Sequence, residues 1–92
     1  MALTKEIVID KIEVMEMGNL QVRAATRVLE DGVVLSSSYH RHALDPSDNS
    51  SGSWVDTDIS GEDARVQAIA NATWTAEVKT AYQEMVDAIE LP

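Results

Sequence analysis

Both histidines of the chain stand in Y-H-R-H, Tyr39 to His42. On an extended strand, His40 and His42 project from the same side, so the pair offers two of the three or four ligands that a zinc ion requires. The remaining ligands are hard to find. There is no Cys and no third His, and an H-x-H-x-D-H spacing fails because Asp45 comes one place late with no His after it. Only Asp45 or Asp48 could add carboxylate oxygens, and the adjacent arginines oppose a bound cation.

A second cluster, D-T-D-I-S-G-E-D-A-R-V-Q from Asp56 to Gln67, follows an EF-hand calcium loop through six positions. Asp56, Asp58 and Ser60 fall at ligand places 1, 3 and 5, and Gly61 falls at the invariant glycine. The second half departs: Asp63 stands where an apolar residue belongs and Gln67 where the bidentate Glu belongs. The alternative is that the aspartates decorate a turn while Ser60 caps a helix. Asp56, Asp58, Ser60, His40 and His42 are thus the candidate metal ligands, and none completes a set. No cofactor is expected.

Nucleophilic chemistry has no better footing. There is no G-x-S-x-G elbow, and the four glycines are scattered without a phosphate-cradling loop. A net charge of -9, from 16 acidic and 7 basic residues, opposes binding to a phosphate backbone. No apolar run approaches the roughly 20 residues that span a bilayer, and Met1 to Asp10 lacks the features of a signal peptide. The reading is of a non-enzymatic, soluble chain that binds no nucleic acid and inserts in no membrane.

The elements that position these residues follow from turn chemistry and periodicity. Ninety-two residues make one domain, 1–92, with a core of Val, Ile, Leu, Met and Ala, since Phe is absent. Gly18-Asn19 and Asp31-Gly32 divide three apolar runs and suit two-residue hairpin turns, so 1–43 reads as a three-stranded antiparallel meander. A Ser/Asp-rich loop, 44–60, follows. A helical pair, 61–92, starts at Ser60, breaks near Asn71 and resumes at Thr75, where Val78, Tyr82, Met85, Val86 and Ile89 form one stripe. Lys79 and Gln83 fall on its wet side, and Asp87, Glu90 and the terminal carboxylate oppose the helix dipole. The class is α+β, with both helices packed on one sheet face.

Two-residue turns would fix the register. Val28 would face Leu35 and Ile9, Ala24 would face Tyr39 and Glu13, and Val22 would face Arg41 and Met15. Tyr39 then points at the helices, while His40 sits opposite Arg23 and His42 opposite Gln21 on the other face. That other face also gathers Val8, Ile12, Val14, Ala25, Leu29 and Val34, more apolar surface than water should see. One reading makes it a contact face, first for a second copy of the chain; the other places a bulge near Asp10 that moves Ile12 and Val14 to the helix side. The expected interface residues are Val8, Ile12, Val14, Arg23, Leu29, Val34, His40, His42 and the loop residue Trp54. Trp74 reads as a structural plug.

The blocks M-A-L-T-K-E-I-V-I-D-K-I-E-V, L-Q-V-R-A-A-T-R-V-L-E-D-G, Y-H-R-H and E-D-A-R-V-Q-A-I-A-N-A-T-W-T resemble a family of small proteins that tailed bacteriophages encode among their virion and tail genes. The likeness covers most of the chain, although the loop D-P-S-D-N-S-S-G-S-W-V-D-T-D-I is longer than the short Pro-Gly-Asp loop of such relatives. The resemblance implies a virion structural protein, made in the host cytoplasm, that contacts itself and other virion proteins. Tail fibre or baseplate is the expected location, with head decoration or a small ion-binding regulator as alternatives.

Overall fold

The computed structural model describes residues 2–89. Three long strands, β1 (Leu3–Val14), β2 (Leu20–Glu30) and β3 (Val33–Leu44), form an antiparallel meander in the order β1-β2-β3. A short ribbon, β4 (Ser47–Asp48) with β5 (Val55–Asp56), follows. Helices α1 (Ala64–Thr73) and α2 (Ala76–Ile89) complete the α+β chain.

The Asp31-Gly32 hairpin is as the sequence predicts. Glu30 pairs with Val33, and Asp31 and Gly32 both have positive φ, 51° and 84°, which is the type I′ geometry that matches strand twist. The other turn differs. Val14 pairs with Leu20, so the connection is the five residues Met15 to Asn19, closed by Met15 N–H donating to the Asn19 carbonyl at 2.8 Å. Gly18 has φ of 89°, and a Cβ built on it would stand 2.5 Å from Val78 Cγ1 and 3.1 Å from Pro46 Cγ. Its carbonyl accepts from Trp74 Nε1 at 2.7 Å. This glycine is needed for close packing against the helices as well as for the turn.

The longer turn changes every facing pair. Ile12 stands opposite Val22 and Val14 opposite Leu20, then a bulge at Asp10 restores Ile9 to Ala24 and Ile7 to Thr26. The bulge alternative drawn from the sequence is therefore the one observed. A second irregularity leaves Leu35 without a facing residue: Leu29 pairs with Val34 but Val28 with Ser36. Beyond it His40 faces Ala24, His42 faces Val22 and Tyr39 faces Ala25. Each extra residue reverses the side on which all later residues project, because the strand period is two.

The core lies at one end of this sheet. Leu20, Ala70 and Trp74 are buried together, with Leu44, Ile59, Ile69 and Val78 packed around them, and Val22 and Val66 are also buried. Helix α1 starts three residues later than predicted for Ser60: Asp63 is the N-cap, its carboxylate accepting from Arg65 N–H at 2.9 Å. Ser60 N–H instead donates to Asp58 Oδ1. Helix α2 has no fully buried residue and leans on the β4–β5 ribbon, where Lys79 pairs with Asp56 at 2.9 Å and Gln83 donates to the buried Ser47 Oγ at 3.0 Å. These two residues are not on a wet face, because the Ser/Asp segment folds back as a ribbon against them. Glu90 and the terminal carboxylate lie outside the described residues.

Length explains what is left uncovered. A helix of 10 residues is about 15 Å long and one of 14 about 21 Å, whereas a 12-residue strand extends for about 40 Å. The helices therefore cover the Gly18 end and leave the Asp31 end as an arm. The chain measures 59 × 27 × 23 Å with a radius of gyration of 17.1 Å, against roughly 12 Å for a compact chain of this length.

Candidate functional site

Along the arm the apolar residues lack cover on both faces. Leu3, Ile7 and Val33 are 64, 65 and 64% exposed on the helix side, and Val34 and Tyr39 are about half exposed on the other. Ala25 is nevertheless fully buried, between Val8 on one side and Tyr39 on the other. The arm is thus a well-paired sheet that presents these side chains outward.

Its outer face is organised by charge. Arg23 makes a two-pronged contact with Asp10, Nε to Oδ1 at 2.9 Å and Nη2 to Oδ2 at 2.8 Å, and its guanidinium lies 4.5 Å from the centre of the Tyr39 ring. Such planar pairing is the strongest common form of side-chain ion pair. The hydrogen bond from Arg23 holds the Asp10 carboxyl below the usual carboxylate range, outweighing the opposing effect of burial. Asp10 is the extra residue at the β1 bulge, and its carboxylate meets Arg23 there. Arg41, opposite Arg23, reaches 6.0 Å from the same ring, and an open depression of about 340 Å³ lies beside it, lined among others by Lys11, Glu13 and Gln21.

The expected interface residues separate into three groups. Val8, Arg23, Leu29 and Val34 remain on the face away from the helices. Ile12, Val14, His40 and His42 do not: the two added register steps bring them to the helix side. There His42 Nε2 lies 2.7 Å from Glu62 Oε1, just before α1, and His40 stacks on His42 with centroids 6.3 Å apart. Trp54 is no free contact residue. Its indole N–H donates to Asp87 at 3.3 Å and its ring meets Tyr82 edge-on, so it fastens the ribbon to α2. Trp74 closes the core.

The candidate ion ligands are not brought into one set. Asp56 is paired with Lys79, hydrogen bonds from the Ser60 side chain and then from its N–H lower the Asp58 pKa, and the histidines stand with Glu62. Among the described residues no group of three or more His, Cys, Asp or Glu is placed to hold a metal ion. No described helix is long and apolar enough to cross a membrane.

The feature that sequence reasoning missed is the β3 edge. Every residue from Val33 to Arg41 is exposed, and among the described residues β3 pairs only with β2. The run V-V-L-S-S-S-Y-H contains no charge, Pro or Gly, a signal that was available in the sequence. No protein-family model, curated protein or solved structure matches the chain.

Proposed function

We propose that this chain is a non-catalytic structural protein of a tailed-bacteriophage virion, assembling through protein contacts at the tail fibre or baseplate. The observation that carries the assembly role is the arm: its exposed Leu3, Ile7, Val33 and Leu35 form more apolar surface than a small isolated domain normally leaves in water. The surface area agrees. The chain exposes 6238 Å², whereas a compact protein of its mass exposes roughly 5,300 Å². The excess of about 900 Å² is close to the share one partner contributes to a standard protein interface.

The phage setting rests on the resemblance of the sequence blocks. The partners are other copies of the chain and neighbouring virion proteins. Mass spectrometry of purified particles tests this reading, with detection at a fixed copy number per particle as the expected result. Absence of the chain from purified particles would reject it.

A further inference from the structure

The two edges of the sheet are built differently. Edge β1 carries Lys5, Glu6, Asp10, Lys11 and Glu13, is bent by the Asp10 bulge, and has its Ile9 carbonyl occupied by Arg65 Nη2 from α1. Charges, a bulge and a covering side chain are the usual means by which a sheet edge is kept from pairing. Edge β3 has the irregularity at Leu35 near the tip, one charge at Arg41 and Glu62 against His42 at its far end, but from Ser36 to His40 it is regular, exposed and uncharged.

We propose, resting on the structural role above, that β3 pairs antiparallel with β3 of a second copy across a two-fold axis at Ser38, making one six-stranded sheet. The sequence is self-complementary about that point. Ser38 meets its own copy, Ser37 meets Tyr39 and Ser36 meets His40, each pair on one face, and Arg41 meets Leu35 rather than another cation. Backbone groups left open on one chain are satisfied by the same groups of the other.

Charge selects the same arrangement. Residues 2–44 carry five basic and six acidic side chains, whereas 45–92 carry two basic and ten acidic ones. Contact between two helical ends would oppose like charges. Antiparallel pairing about Ser38 joins the nearly neutral arms and sets the two helical ends on opposite sides of the axis. Six residues separate Ser38 from the end of β3 at Leu44 in each copy, so these ends stand roughly 40 Å apart, several times the screening length at physiological salt.

The chain has no cysteine, so single-cysteine variants report on the axis directly. A residue on the axis faces itself at a Cα separation of about 5 Å, within disulfide range. Under mild oxidation Ser38→Cys is expected to give the highest yield of cross-linked dimer, at least tenfold above a Glu84→Cys control on α2, with yield falling at Ser36→Cys and His40→Cys. Sedimentation of the cysteine-free chain should give twice its 10.1 kDa mass, and Ser38→Lys should return it to monomer with an unchanged circular dichroism spectrum. A cysteine-free chain that sediments as a monomer at tens of micromolar, or a Ser38→Cys yield no higher than the control, overturns the pairing. The virion role falls separately, by absence of the chain from particles.

Discussion

The two ends of the same three-stranded sheet differ in almost every physical respect. At the Gly18 end, Leu20, Val22, Val66, Ala70 and Trp74 are buried, the turn is held by a tryptophan 56 residues away, and helices complete the enclosure. At the Asp31 end the turn is a tight hairpin whose Asp31 also exchanges hydrogen bonds with the exposed Ala2, and Leu3, Ile7 and Val33 remain open to solvent. Equally apolar strands therefore meet two fates: one end is enclosed and holds the chain folded, and the other stays open to solvent, where the proposed role puts the contacts with other chains. Stability should depend on the first end and association on the second.

Trp74→Ala should test that division hardest. It empties the centre of the core and leaves the Gly18 carbonyl without its donor, a loss of about 3–5 kcal/mol by urea unfolding. Gly18→Ala should cost less, about 1–3 kcal/mol, because the added methyl meets Val78 and Pro46 at a positive φ. In contrast, Leu3→Ser and Ile7→Ser should each change unfolding of the monomer by no more than about 0.5 kcal/mol. A loss of several kcal/mol there would mean that the arm is part of the folding core and would erase the distinction between the two ends.

Smaller still is the acid dependence of the arm. The Asp10 pKa is lowered in the fold by Arg23, so this pair stabilises the folded chain above the ordinary carboxylate range near 3.9, and the contribution is lost as pH falls through the lowered value. Asp10→Asn should flatten the stability profile in that acid window and leave its slope near neutrality unchanged. The smallest response concerns the ion candidates. Millimolar calcium or zinc should not move the melting midpoint, since Asp56 and Asp58 already serve Lys79 and Ser60; a rise would show that these partners are displaced by a metal.

Much of the architecture was legible because its causes are local. The Asp31-Gly32 turn needs two residues that tolerate positive φ, and the 3.6-residue stripe of α2 needs only its own side chains. The start of α1 expected at Ser60 lies at Asp63, whose carboxylate accepts from Arg65 N–H, while Ser60 N–H donates to Asp58. The excess of apolar sheet was visible too, although its position was not. Ile12 and Val14 changed sides because the Gly18 turn is longer than two residues, and His40 and His42 because β3 holds an extra residue near Leu35.

By itself the sequence determined the order of the three long strands and the two helices, the tight Asp31-Gly32 hairpin and the division of charge between arm and helices. These depend on residue type and on neighbours a few positions away. Tertiary structure alone decided which way each strand faces. Gly18 is drawn into contact with Val78 and Trp74, Asp10 meets Arg23 at the β1 bulge, and each displaced residue reverses a whole strand segment. For the histidines of Y-H-R-H, those distant contacts put His42 beside Glu62 and leave the strand that carries them with an open edge.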